Sequence, residues 1–235
     1  MALRNEVESL LARHVSELTE FEDWKALESG GAAREDYERF LANVIRTHLR
    51  SPQVLAFLYA LAPPDAVPSL LHNLLEELGI EEESGTSHPS LLRDLAAGAG
   101  FTEQLPELEL RAQASLKDVI CEPILYGTLK EVGLATFTEV VAFEYMLSRV
   151  ASRVARFLED HLGLAKGPLE WFTHHSEVDI RHAEQGIDNI VCYARYYGFS
   201  DADALTICGM ALRENVFVKR YFGERALART AARPA

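Results

Sequence analysis

The stretch LEWFTHHSEVDIRHAEQGIDNI, residues 169–190, places His175, Asp179 and His182 at spacings of four and three residues. On a helix that turns about 100° per residue, these three side chains project from a single stripe. Trp171 and other apolar residues share or border that stripe, so it faces a core rather than solvent. The stretch therefore predicts a buried helix that carries two imidazoles and a carboxylate on its inner face.

Polar groups on an inward helix face need partners. An unpartnered buried imidazole or carboxylate costs about 1–3 kcal/mol or more, so three together indicate a metal or a polar network between helices. At a rise of 1.5 Å per residue, His175 and His182 lie roughly 10 Å apart along the helix axis. That separation is awkward for one ion, but it suits two ions with a carboxylate between them. The pattern therefore favours a dinuclear metal site over a metal-free network.

Glu144 is a second candidate ligand. It lies in TEVVAFEYMLSRV and is flanked at helical spacing by Val140, Val141 and Leu147. A lone carboxylate on an apolar stripe is costly unless it is ionised against a cation. The cation is either a metal ion or a basic side chain of another helix.

Two further candidates come from NLLEELG, residues 73–79, and the segment that follows it. Glu77 shares a face with apolar neighbours, and His88 stands just ahead of the helix PSLLRDL. A histidine before a proline at a helix start is also commonly an exposed cap. The other glutamates that could take the place of Glu77 are Glu76, Glu81 and Glu82.

The rest of the chain repeats the helical pattern. Apolar residues recur at spacings of three and four, while runs of period two are hard to find, so the fold class is all-α. The predicted helices span residues 3–19, 35–50, 52–62, 66–79, 89–98, 107–131, 134–163, 168–198 and 201–226. These helices predict a multi-helix bundle.

The connections between the predicted helices are short and rich in glycine and proline, with Ser200 as an expected N-cap. A chain of 235 residues without a low-complexity linker suits one hydrophobic core. We therefore expect a single domain over residues 1–226. Residues 227–235 carry little apolar bulk, and we expect them to form a flexible tail.

The net charge limits the expected partners. There are 23 Lys and Arg residues against 36 Asp and Glu residues, a formal charge of −13 that repels phosphate backbones and anionic lipid heads. The apolar run from Val54 to Ala62 is far short of the roughly 20 residues that span a bilayer. We expect neither a nucleic-acid partner nor a membrane.

The N-terminal stretch and the cysteines both indicate the cellular compartment. Charged residues interrupt the N-terminal stretch MALRNEVESLLARH where a secretory signal needs an unbroken apolar run, so a cytoplasmic protein is expected. Cys121, Cys192 and Cys208 are widely spaced and odd in number, which suggests reduced thiols rather than a disulfide framework.

Because most soluble oligomers have two-fold symmetry, a homodimer is expected.

The order of the motifs resembles that of the iron-containing redox enzymes built on the haem-oxygenase fold. It runs NLLEELG, then SHPSLLRDL, then a glutamate in a long middle helix, then H-xxx-D-xx-H. The resemblance covers roughly residues 66–226 and implies a haem-oxygenase-like helical bundle. It also implies six metal ligands, which are Glu77, His88, Glu144, His175, Asp179 and His182.

The resemblance further implies a non-haem di-iron oxidase or oxygenase that holds two ions as Fe(II) or Fe(III) and takes O2 as co-substrate. Imidazole and carboxylate ligands without thiolate suit Fe or Mn better than Zn. The expected substrate is a small molecule: an amino acid, an amine or a fatty acid. The expected partition gives one iron Glu77, His88 and His182, and the other Glu144, His175 and Asp179.

Other functions fit the same fold class. One is a metal-free oxidase or a thiaminase-like hydrolase, for which Cys121 is the candidate nucleophile, although its apolar neighbours suggest an inert thiol. Another is a non-enzymatic iron-binding or interaction protein. His14 lies where haem oxygenases place an axial histidine, which makes haem binding a minor alternative, and His174 is expected to face away from the metal ligands.

Overall fold

The regular secondary structure is helical in the computed structural model, which describes residues 2–81, 85–121 and 127–223. No β-strand occurs among these residues. The α-helices are α1 (Ala2–Glu20), α2 (Glu22–Glu28), α3 (Arg34–His48), α4 (Ser51–Leu61), α5 (Val67–Glu77), α6 (His88–Gly98), α7 (Leu105–Cys121), α8 (Leu129–Phe157), α9 (Glu170–Tyr196), α10 (Asp201–Ala211) and α11 (Val216–Phe222). A π-helical turn, Leu158–Leu162, continues α8. The predicted all-α class is confirmed.

The two longest helices, α8 and α9, pack along each other and form the centre of the bundle. Small residues allow them to approach closely. A β-carbon at Gly186 of α9 would lie 2.6 Å from Val141 Cγ2 of α8, and one at Gly133 would lie 2.1 Å from the Tyr193 hydroxyl oxygen. The distance between α8 and α9 therefore depends on glycine at these two positions.

Replacing Gly186 by alanine is expected to destabilise the fold by roughly 1–3 kcal/mol, because the added methyl overpacks the contact with Val141. Urea unfolding measures the loss. The matched control is Gly209→Ala in α10, where nothing lies within 4 Å of the new β-carbon. This control should gain about 0.5–1 kcal/mol, because alanine has the higher helix propensity. Equal effects at both positions would contradict the close packing of α8 and α9.

The largest difference from the predicted helices lies around Gly133. The predicted helix over residues 107–131 is wrong in extent, because Thr128 is extended and α8 begins at Leu129. Gly133, expected as a break, lies inside α8 and is buried against Tyr193. The glycine there serves close packing rather than helix termination, and spacing alone does not separate these two uses.

The C-terminal helix predicted over residues 201–226 is two helices. The chain turns at Glu214 and Asn215, which have φ values of 58° and 52°, and the Asn215 side chain accepts a hydrogen bond from the Val218 amide at 3.2 Å. The short helix α2 was not predicted. The Ser200 N-cap is confirmed, since its hydroxyl accepts from the Asp203 amide. The expected tail, residues 227–235, lies outside the described residues.

Helix α11 returns the chain to the middle of the bundle, where it packs on α3. Tyr221 of α11 contacts Phe40 of α3 with ring centroids 5.5 Å apart, and Phe143 of α8 at 5.7 Å. Aromatic pairs at this spacing add to the stabilisation that area burial provides. Within the described residues, no helix has the length and apolar character that crossing a bilayer requires.

Candidate metal centre

Four helices bring the six predicted ligands into the interior. Glu77 ends α5, His88 begins α6, Glu144 lies in α8, and the stripe of His175, Asp179 and His182 lies along α9. Asp179 is 2% exposed and His88 is 1% exposed. The stripe on α9 faces inward as its spacing predicts, whereas the exposed cap considered for His88 is wrong. Glu144 is partly buried.

Glu77, His88 and His175 form the tightest group. Each offers one ligand atom, and the three atoms lie within 4.8 Å of one another. The Glu77 carboxylate accepts a hydrogen bond from the Ser51 hydroxyl at 2.5 Å, and its other oxygen lies 3.0 Å from His88 Nδ1. His175 Nδ1 lies 2.6 Å from the Trp171 carbonyl oxygen, so it donates there and leaves Nε2 as the ligand atom.

The second half of the site lies further along α9. His182 Nε2 lies 2.6 Å from the carboxylate of Glu76, and His182 Nδ1 lies 3.6 Å from Asp179 Oδ1. Glu144 accepts a hydrogen bond from the Asn73 amide at 2.6 Å. In the part of the chain that the structure describes, no second group of three ligand atoms is as close as the first.

This arrangement differs from the expected partition, because His175, not His182, accompanies Glu77 and His88. Helix α6 packs on the first turns of α9, and the His88 ring centroid lies 4.6 Å from that of His175. His182 lies two turns further along α9, where it meets Glu76 of α5. The partition follows from where α6 and α5 cross α9, which residue spacing does not contain.

The other glutamates considered as ligands in place of Glu77 have different surroundings. Glu76 is also buried, but it binds His182 and, at 2.7 Å, the guanidinium of Arg181. Glu81 is exposed and pairs with His72. Glu82 lies outside the described residues. Consecutive glutamates of α5 therefore meet different histidines, Glu77 at His88 and Glu76 at His182.

Electrostatics divide the carboxylates into two kinds. Burial acts to raise the pKa of Glu77, but His88, His175 and the Ser51 hydrogen bond outweigh it and lower this pKa to about 2. The pKa of Glu76 is also lowered to about 2, against the effect of burial, by His182, His72 and Arg181. Both are held as carboxylates at neutral pH.

In contrast, Asp179 and Glu144 are carboxyl groups whose pKa is raised. Burial raises the pKa of Asp179 to about 7, and it also raises the pKa of Glu144 despite nearby His182 and Asn73. Burial acts to lower the pKa of His182, yet the neighbouring carboxylates of Asp179 and Glu76 raise it to about 10. The protein by itself therefore leaves two of its buried carboxylates without enough positive charge.

A metal ion fits this shortage of positive charge. Among the residues that the structure describes, no hydrogen-bond donor reaches the buried Asp179 Oδ2. The orphaned oxygen of Asp179 lies near Glu144 and near the tight group at Glu77. A divalent cation bound there would give this buried charge the partner that it needs. The donors are imidazole nitrogens and carboxylate oxygens, a set that suits Fe or Mn.

A cavity of about 70 Å³ adjoins the ligands. Glu77, Glu144, His175 and Asp179 line one part of it. Its other walls are largely apolar and include Val54, Leu55, Val119, Val140, Phe143, Leu147 and Trp171. A reacting molecule would therefore meet the ligands among mostly apolar side chains.

Sequence reasoning missed His48, which also lines this cavity. Its ring packs against Phe143 and Trp171, and its Nε2 lies 2.7 Å from the Tyr221 hydroxyl. Burial lowers the pKa of His48 to about 4, so the ring is neutral at pH 7. The available signal was the helical spacing of His48 from Leu41, Val44 and Ile45, which marks an inward face.

The remaining candidates differ in how close they lie to the ligand group. His14 is buried in α1, with Nδ1 2.8 Å from the Leu10 carbonyl oxygen. His174 was expected to face away, but its ring centroid lies 4.9 Å from that of His88 because α6 covers this side of α9. The Cys121 side chain lies outside the described residues.

Comparison with known protein families finds a match for most of the helical bundle. A family model described as an iron-containing redox enzyme matches residues 38–196. The match covers more than half of the chain and includes all six predicted ligands, while α1, α2, α10 and α11 lie outside it. No curated protein matches the chain.

Proposed function

The chain belongs to the family of iron-containing redox enzymes, and from this premise we propose that it is a non-haem di-iron oxidase or oxygenase. It uses O2 to oxidise a small metabolite. The observation that carries the proposal is the buried surplus of carboxylate around the cavity, above all the orphaned Asp179 Oδ2. Divalent cations bound there would supply the positive charge that Asp179 and Glu144 lack.

The side chains divide between the two ions by their positions. Glu77, His88 and His175 are the proposed ligands of one iron, because their ligand atoms already lie within 4.8 Å of one another. Glu144, Asp179 and His182 are the proposed ligands of the other. Iron held by these residues would supply the redox chemistry by which O2 oxidises a substrate.

Neighbouring groups hold these ligands in place. The Trp171 carbonyl fixes the His175 tautomer, Ser51 holds one oxygen of Glu77, and Asn73 holds one oxygen of Glu144. Such partners orient ligands and typically affect metal affinity by about 10- to 100-fold. Each proposed iron therefore has at least one ligand that is positioned before the metal arrives.

The apolar walls of the cavity favour a substrate with an apolar part. Val54, Leu55, Phe143 and Leu147 form walls that hold an alkyl or aromatic group and exclude water. Amino acids, amines and fatty acids all carry such a part, so all three predicted classes stay proposals. The predicted homodimer likewise stays a prediction.

Anaerobic titration of the metal-free protein with Fe(II) tests the proposal. We expect two irons per chain after removal of excess metal, and consumption of O2 when the loaded protein is mixed with it. Retention of no iron would contradict the proposed centre and favour the metal-free alternatives. Iron binding with one round of O2 consumption, but none that depends on any metabolite in a screened pool, would favour a non-enzymatic iron-binding protein.

A further inference from the structure

A row of rings leads away from the proposed iron ligand His175. The Trp171 ring centroid lies 4.3 Å from that of His175, and the His48 ring centroid lies 5.1 Å from that of Trp171. Tyr221 follows, its ring centroid 5.8 Å from His48 and its hydroxyl 2.7 Å from His48 Nε2. The row thus connects the centre to α11, the last described helix.

The hydroxyl of Tyr221 and the ring of His48 are poised for proton transfer. Burial, with a smaller effect of Asp179, raises the pKa of Tyr221 well above its usual value, so the phenol keeps its proton. Because His48 is neutral at pH 7, one ring nitrogen is free to accept a proton. Among the described residues, His48 is the acceptor that the Tyr221 hydroxyl reaches, so we assign the O–H as donor to Nε2.

We propose that Tyr221 and His48 form a redox site that gives an electron to the iron centre when no substrate is oxidised. The inference rests on the proposed function. Its oxidant would be iron, held by the proposed ligands, that O2 has oxidised. In the step, one electron leaves Tyr221 by way of Trp171, the phenolic O–H bond breaks, and a new N–H bond forms at His48 Nε2. The products are a neutral tyrosyl radical, a His48 imidazolium and a centre reduced by one electron.

The surroundings require this coupling of electron and proton. Tyr221 is 1% exposed and packs against Phe40 and Phe143, where a charged phenol radical without a partner would be strongly disfavoured. Movement of the proton over one short hydrogen bond keeps the radical neutral. Trp171, also 1% exposed, fills the space between His48 and His175, so no step crosses solvent.

The other side of Tyr221 gives the radical a way to be reduced again. Tyr221 also lines a pocket of about 170 Å³, with the partly exposed Asp36 and the exposed Arg39 among its walls. A small reductant that enters this pocket would lie against the Tyr221 side of the row, not against the iron ligands. Tyr221 lies outside residues 38–196, so this feature does not follow from the family match.

Freeze-quench electron paramagnetic resonance of the full-length chain tests the inference. The protein is loaded anaerobically with Fe(II) and mixed with O2 without substrate. We expect an organic radical signal whose splitting collapses when ring-deuterated tyrosine is incorporated. Tyr221→Phe should lose that signal. Tyr193→Phe is the matched control and should keep it, because Tyr193 is equally buried but donates to the Lys130 carbonyl.

A second variant tests the proton acceptor. His48→Gln keeps a side chain that can accept the Tyr221 hydrogen bond but cannot take its proton, so the radical should form at least ~100-fold more slowly. If Tyr221→Phe does not fold, isotope labelling tests whether the radical is on a tyrosine, and His48→Gln tests whether its formation depends on His48. A signal that survives in Tyr221→Phe, or a wild type that holds iron and consumes O2 without a tyrosyl signal, overturns the redox site alone. A wild type that neither holds iron nor consumes O2 overturns the proposed function with it.

Discussion

His175→Ala is expected to lose iron and stop O2 consumption while the chain stays folded. His175 belongs to the tightest ligand group, so its removal should weaken the nearest iron by more than the roughly 10- to 100-fold seen when a supporting residue is lost. The fold should lose only about 1–3 kcal/mol, because the Trp171 carbonyl loses one donor. Metal analysis, an oxygen electrode and circular dichroism measure the three quantities.

The chain offers a closely matched control for this substitution. His14 is also a buried helical histidine whose Nδ1 bonds to the carbonyl four residues earlier, but it lies in α1, away from the ligand group. His14→Ala should show the same small loss of stability and keep both irons and O2 consumption. If His14→Ala loses iron as His175→Ala does, the loss reflects damage to the fold. If His175→Ala keeps two irons, the assignment of His175 as a ligand is wrong.

Asp179→Asn is expected to stabilise the metal-free protein and to abolish its function. In the folded chain burial holds the pKa of Asp179 at about 7, above its ordinary value of 3.8, and Oδ2 is without a donor among the described residues. At about 1.4 kcal/mol per pH unit, that difference corresponds to a gain of at most about 4 kcal/mol on neutralisation. The lost interaction with His182 reduces this gain.

The sign of the pH dependence follows from the direction of the shift. A carboxyl group whose folded pKa is raised contributes its full stability below the unfolded pKa of 3.8, and the contribution is lost as pH rises through about 7. Metal-free wild type should therefore lose stability relative to Asp179→Asn between pH 4 and 8. Urea unfolding at several pH values, in the presence of a chelator, measures the difference.

With Fe(II) bound, wild type should become more stable than Asp179→Asn. A ligand that binds only the folded state stabilises it, so wild type should gain stability from iron while Asp179→Asn gains little. O2 consumption should be lost in the variant, because an amide is a poor replacement for a carboxylate ligand. If Asp179→Asn is the less stable protein at pH 8 without metal, then Asp179 serves the fold and not a cation.

Local periodicity explains what could be predicted. The inward stripe of His175, Asp179 and His182 is a property of one helix, because 3.6 residues per turn sets which side chains share a face. Periodicity also correctly predicted that the chain is all-α, and the residue preferences of helix starts correctly predicted that Ser200 caps a helix. It failed at Gly133, where the same residue type serves close packing in one context and helix termination in another.

The sequence by itself determined the all-α class, most of the helices, the inward face of α9 and the set of residues able to bind a metal. The tertiary structure decided which of those residues meet: His175 rather than His182 lies with Glu77 and His88, and Glu76 turns to His182. It also brought Tyr221 beside His48, although the two are far apart in the chain. The physical reason is that spacing along a helix sets the direction of a side chain. The partner of that side chain depends on where another helix crosses, and that crossing is determined by the packing of the whole core.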